Sequence, residues 1–217
     1  MLGKFFVSFI AFAMVSSGAA AQEQAAPAEP APASVPAEEN ILHLDLSTGG
    51  RVTIQLFPAA APNHVERIKT LTRQGFYDGI IFHRVIEGFM AQTGDPTGTG
   101  TGGSDLPDLK AEFHPFPHLR GVVSMARAES EDSANSQFFI VFYPRFALDK
   151  KYTVFGRVTS GMQYVDLINR GEPPANPARI LQASIAADGK GPPAPRSLAP
   201  VAEKEITVDD LNAPINP

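Results

Sequence analysis

Cysteine and tryptophan are both absent from the 217 residues. Without cysteine there is no disulfide framework, thiolate metal site, sulfur nucleophile or lipidated N-terminal cysteine. Positive charge is also scarce: 18 Lys+Arg against 23 Asp+Glu give a net charge of −5. No local basic stripe compensates, which argues against nucleic-acid binding by counterion release. No internal repeat is visible. The only sustained apolar run, Phe5 to Val15, is shorter than the roughly 20 residues needed to span a bilayer.

That run belongs to a targeting pattern. Lys4 precedes it and Ser16-Ser17-Gly18 and Ala19-Ala20-Ala21 follow it, the three-part layout of a secretory signal with small residues at the cleavage site. Residues 1–21 are therefore expected to be removed, and losing Lys4 takes the net charge from −5 to −6. The alternative is an uncleaved N-terminal anchor. The short layout with one basic residue looks bacterial, which places the mature chain in the periplasm or the medium with no stable membrane span. Residues 22–39 are dominated by Ala and Pro with four glutamates and no basic residue; they read as a semi-extended linker that buries too little apolar surface to fold. A second proline-rich break opens a tail, residues 189–217, in which Val201 to Leu211 is expected to form a short strand.

The remaining residues, 40–188, read as one mainly β domain. Ile41, Leu42, Leu44 and Leu46, then Ser47-Thr48-Gly49-Gly50, then Val52, Ile54 and Leu56 predict a hairpin. Pro62 suits the first turn of a helix carrying Val65, Ile68 and Leu71 and stopped by Gly75. A second helix is expected over Met162 to Asn169. Further short strands are expected at Ile80 to Ile86, Val122 to Ala126, Phe138 to Val141, Thr153 to Val158 and Ile180 to Ala186. Many short strands and two helices suggest a closed antiparallel β-barrel whose ends the helices cap.

The chemistry-bearing residues exclude several classes. His43, His64 and His83 are scattered, and Pro115 and Pro117 break any helix that would align His114 with His118, so no metal set is expected. Ser124, Ser133 and Ser136 lie in no nucleophile elbow. The glycine-rich run Gly94 to Gly103 lacks the Gly-Lys-Ser/Thr ending of a phosphate loop and reads as a long surface loop. In Phe82-His83-Arg84-Val85-Ile86-Glu87-Gly88-Phe89-Met90-Ala91-Gln92, strand alternation points Arg84 away from the face holding His83 and Val85. An aromatic, a thioether and an amide follow it and form one wall of a cleft with a polar corner.

This segment resembles the signature of the cyclophilin family. Gly121-Val122-Val123-Ser124-Met125-Ala126-Arg127 with Ser136-Gln137-Phe138-Phe139-Ile140, and Leu148-Asp149 with Val154-Phe155-Gly156, are similar to its later blocks. The resemblance covers roughly Ile41 to Asp188. It implies a peptidyl-prolyl cis-trans isomerase on an eight-stranded antiparallel barrel closed by two helices. A monomer acting on proline-containing polypeptides is expected, with no cofactor and no metal.

Carried over by position, the family's catalytic arginine falls on Arg84. Its proline pocket falls on Phe89, Met90, Phe139 and Leu148, and its polar groove residue on Gln92. Ala126, Arg127, Gln137 and Tyr152 fall on further substrate-binding positions. Three positions depart from the usual pattern: Arg127 replaces a frequent Asn, Tyr152 a frequent His, and Ala147 a frequent Trp. The last implies weak binding of cyclosporin, with Phe146 partly refilling the space. Two other readings of the groove are a chaperone that holds proline-containing segments without turnover and an envelope structural protein tethered by residues 1–39.

Overall fold

Side-chain alternation sets the first hairpin, β1 (Ile41–Leu46) and β2 (Gly50–Leu56). Leu42, Leu44 and Leu46 face Ile54, Val52 and Gly50 across the ladder, and these leucines are buried together with Val52, Ile54 and Leu56. The structure is a computed structural model that describes residues 37–194. The expected signal segment, most of the Ala/Pro linker and the expected strand Val201 to Leu211 lie outside the described residues. Ala37–Asn40 form a single 3₁₀ turn in front of β1. Its Glu39 and the distal Asp188 both take the Arg73 guanidinium, at 2.9 and 3.0 Å.

Helix α1 (Pro62–Arg73) starts on Pro62 and buries Val65, Ile68 and Leu71. Six further strands follow in chain order: β3 (Arg84–Ile86), β4 (Met90–Thr93), β5 (Val122–Met125), β6 (Phe138–Val141), β7 (Val154–Ser160) and β8 (Ile180–Ile185). All pairings are antiparallel, and the sheet runs β3-β4-β6-β5-β7-β2-β1-β8.

Three expectations need correction. The sheet is curled but open, not a closed barrel: no ladder joins β3 to β8. Only an isolated bridge between Ile81 and Arg179 and a few backbone bonds, such as Phe82 N–H to the Ala178 carbonyl at 2.9 Å, span the gap. The cause is that β3's outer edge is already occupied, because Val85 and Gly171 exchange backbone hydrogen bonds of 2.8 and 2.9 Å. For the same reason the strand expected over Ile80 to Ile86 shortens to its last three residues. The second correction concerns α2, which spans only Met162–Asp166. The Ile168 N–H bonds to the Val165 carbonyl at 3.2 Å, a three-residue turn that tucks Ile168 into the core and releases the chain toward β3. The third is β4, a strand additional to those expected from the residue pattern. The turn Glu87-Gly88-Phe89 folds it back onto β3, pairing Arg84 with Gln92 and Ile86 with Met90.

The sheet buries residues on both faces, and parity sorts them. Val85, Ala91, Val123, Met125, Phe138, Ile140 and Phe155 join the main core with the hairpin and helices. Their sequence neighbours Met90, Val122, Phe139, Val141 and Val154 form a second cluster on the opposite face. Burying each such side chain contributes about 1.5–3 kcal/mol, so this second cluster holds the outer face of the sheet together as a packed platform. A register slip of one residue in any of these strands would exchange the two faces.

Candidate active site

The platform carries the residues singled out from sequence. On β3 and β4, the residues two apart share a face, so Arg84 and Ile86 lie on the side of Met90 and Gln92. Gln92 is also register-paired with Phe139 on β6. Phe89, Ala126, Leu148 and Tyr152 pack, partly buried, around Met90 and Phe139. Phe89 and Tyr152 approach the Phe139 ring at centroid distances of 6.5 and 5.8 Å. Met90 and Phe139 are almost wholly buried and form the floor, while Phe89 and Leu148 stand higher. Leu148 is presented by a one-turn 3₁₀ helix, Phe146–Leu148.

The polar corner is continuous. The Arg84 guanidinium donates from Nε to Glu172 Oε2 at 2.7 Å and from Nη1 to Gln92 Oε1 at 3.5 Å. Gln92 Nε2 donates to Gln137 Oε1 at 2.8 Å. Gln137 Nε2 in turn donates to the Gly100 and Gly102 carbonyls at 3.0 and 2.8 Å. Gln137 thus ties the groove to the glycine-rich loop.

That loop is wound around Asp95, whose carboxylate accepts the Thr97 and Gly100 N–H groups at 2.7 and 2.6 Å and the Thr97 hydroxyl at 2.7 Å. Burial raises the Asp95 pKa, but these bonds outweigh it and hold the carboxyl below its usual range. A Cβ at position 102 would stand 2.2 Å from Asp95 Oδ1, so only glycine fits there. Beside the loop lies a cleft of about 520 Å³ lined by Gln92, Gly102, Ala126, Arg127, Asn135 and Gln137 among others. Arg127 does not point at the floor. Its guanidinium lies 4.7 Å from the centre of the Tyr152 ring and donates to the Ala128, Glu129 and Lys151 carbonyls, which ties the groove rim together.

Behind Phe139 is a chain of hydrogen bonds that the sequence did not reveal. His118 stacks on Phe139, with centroids 6.4 Å apart and planes 18° from parallel. Asp149 Oδ1 accepts the His118 backbone N–H and its Nδ1–H, both at 2.8 Å. That leaves Nε2 as the acceptor, at 3.0 Å, of the Ser124 hydroxyl. Desolvation works against the Asp149 carboxylate, yet the bonds from His118 hold its pKa below the ordinary value. The arrangement has the order of a nucleophilic triad, but Ser124 and His118 are fully buried, so no substrate reaches the hydroxyl and the chain acts as a support. His114 lies against Phe116, at 4.1 Å between ring centres, away from this network. Among the described residues no group of three His, Cys, Asp or Glu is placed to hold a metal ion.

A family model for the cyclophilin-type peptidyl-prolyl cis-trans isomerases matches residues 43–185. The chain belongs to the cyclophilin family. A probable peptidyl-prolyl cis-trans isomerase of Brucella suis is 47% identical over 174 residues, covering 73% of this chain and 88% of that protein. Peptidyl-prolyl cis-trans isomerase B of Bacillus subtilis is 44% identical over 128 residues, covering 58% of this chain and 89% of that one. Among solved structures, cyclophilin AquaCyp293 from Hirschia baltica aligns with a TM-score of 0.65 at 30% identity, covering 70% of this chain and 75% of that one. A Cryptosporidium parvum cyclophilin determined in the presence of the dipeptide Ala-Pro aligns with a TM-score of 0.62 at 28% identity, covering 67% and 98%.

This cyclophilin is a peptidyl-prolyl cis-trans isomerase. All ten positions singled out from sequence lie on or beside the one platform. The contacts of Glu172 with Arg84 and of Asp149 with His118 were not legible, because 88 and 31 residues separate the partners; Ser124 is only six residues from His118, but the intervening spacing gives no sign that the two meet.

Proposed function

We propose that Arg84, Phe89, Met90, Gln92, Phe139 and Leu148 carry the isomerisation, with Ala126, Arg127, Gln137 and Tyr152 lining the path of the substrate backbone. The observation that carries this reading is the placement of a guanidinium beside an apolar platform, on the same sheet face, with Nη2 free of hydrogen bonds among the described residues.

Amide resonance sets a barrier of about 18–20 kcal/mol, and uncatalysed X-Pro exchange takes tens to hundreds of seconds. No covalent bond need break. As the C–N bond twists, the proline nitrogen becomes pyramidal and gains a localised lone pair, and a donor aimed at it stabilises the twisted state more than either planar one. Arg84 is that donor. The apolar platform grips the ring while the preceding carbonyl swings, and Gln92 or a main-chain N–H meets its oxygen. A 10⁴-fold acceleration needs about 5.4 kcal/mol. One hydrogen bond from a charged donor supplies about 1.5–3 kcal/mol of this, and desolvation of the ring contributes to the remainder.

The substrates are proline-containing polypeptides, and the Ala-Pro dipeptide present with the Cryptosporidium parvum relative supports that class. The signal-type segment 1–21 supports an exported enzyme of the periplasm or medium that acts on exported chains as they fold. Ala147, exposed on the 3₁₀ turn, supports weak cyclosporin binding. The deciding experiment is turnover of a prolyl peptide by Arg84→Ala. Loss of most of the isomerisation with peptide binding still measurable is expected; unchanged turnover rejects the reading.

A further inference from the structure

The loop that closes the outer edge of β3 is built to deliver one carboxylate. Gly171 exchanges both backbone hydrogen bonds with Val85, the residue next to Arg84. Its φ of +144° and the 2.6 Å that would separate a Cβ from Pro174 leave room for glycine alone. The preceding residue anchors the loop on the same edge: Arg170 donates from Nε to Glu87 at 2.7 Å, donates from Nη1 to the Asp166 carbonyl at 2.8 Å and lies 4.4 Å from the centre of the Phe142 ring. With position 171 fixed against β3, Glu172 falls beside Arg84 and takes its Nε–H at 2.7 Å.

We infer that Glu172 is a positioning residue for isomerisation, holding the Arg84 guanidinium in the orientation that offers its remaining N–H groups to the twisted prolyl nitrogen. The inference rests on the reading of Arg84 as the catalytic donor. The physical need is clear: the Arg84 side chain is 40% exposed, and a long side chain that free would spread over many rotamers and lose that freedom each time it is captured. Gln92 Oε1, at 3.5 Å, is too distant to fix it alone. A carboxylate on Nε uses the one donor that points back along the side chain and leaves Nη2 for the groove. The rigid fork of the guanidinium converts a contact at Nε into a direction at the other nitrogens.

The test compares Glu172→Ala and Glu172→Gln, each alone and with Arg84→Ala, in a prolyl-peptide assay resolved into kcat and KM, with thermal melts as a folding check. An exposed ion pair of this kind is worth about two- to fivefold. Glu172→Ala is expected to lower kcat by that factor, with KM and melting temperature unchanged. Glu172→Gln, which keeps an acceptor oxygen, is expected to recover part of the loss. In the Arg84→Ala background the second substitution is expected to remove nothing further. A kcat equal to or above wild type in Glu172→Ala overturns the inference, as does an equal loss in both backgrounds. Full turnover by Arg84→Ala alone instead overturns the reading of Arg84, so the two failures are distinguishable.

Discussion

Replacing Asp149 with Ala removes the hydrogen bonds that hold His118 behind Phe139. One carboxylate oxygen holds both the backbone N–H and Nδ1–H of His118, each at 2.8 Å. A hydrogen bond to a charged group contributes about 1.5–3 kcal/mol, and a buried donor left unpaired costs about 1–3 kcal/mol. The two bonds share one acceptor and the Asp149 side chain is 26% exposed, so their sum is discounted to about 3 kcal/mol. For a chain of this size that corresponds to a fall of about 6–12 °C in melting temperature.

The His118 ring then loses the bond that fixes its tautomer toward Ser124 and its stack on Phe139, and Leu148, next to Asp149 in the chain, loses its anchor. The kcat/KM for a prolyl peptide is therefore expected to fall with the stability, and Asp149→Asn, which keeps one acceptor, to lie between the two. The pH dependence has a definite sign. Because the folded carboxyl titrates below its ordinary value of 3.8, its contribution is fully present above that value and is lost as pH falls through the lower, folded one. Wild type and Asp149→Ala are expected to converge in stability in strong acid. Calorimetric melts near neutral pH decide the matter: a variant melting within about 2 °C of wild type would show that the Asp149–His118 pair bears no load.

Two further outcomes are expected. The pKa values of His43, His64 and His83 are all lowered from 6.5, chiefly by burial and, for His64, against the pull of Glu112. The unfolded chain thus binds protons that the folded chain refuses, so stability is fullest above 6.5 and declines as pH drops toward the folded values. A melting temperature that stays flat from about pH 7.5 to 5.5 contradicts this, and His83→Phe, which replaces a ring whose two nitrogens have no partner, should flatten the slope. Ala147→Trp adds an indole to the exposed 3₁₀ turn beside Leu148 and should strengthen inhibition by cyclosporin; an unchanged inhibition curve argues that position 147 does not govern that binding.

Local pattern alone determined much of this protein. The alternation of Leu42, Leu44 and Leu46 with Val52, Ile54 and Leu56 fixed the hairpin, because a strand's period of two needs no distant partner to be read. Pro62 and Gly75 bracketed α1 for equally local reasons. The order of the motif blocks around Arg84, Phe139 and Leu148 identified the family. What only the tertiary structure decided are relations between remote positions. Glu172 sits 88 residues from Arg84 and Asp149 sits 31 from His118. Nothing in the residue spacing ties either pair together, since the turn at Gly171 and the antiparallel pairing of β5 with β6 create the proximity. The open edge of the sheet has the same origin: whether β3 meets β8 depends on which backbone reaches its free N–H and C=O groups first, and here the loop at Gly171 occupies them.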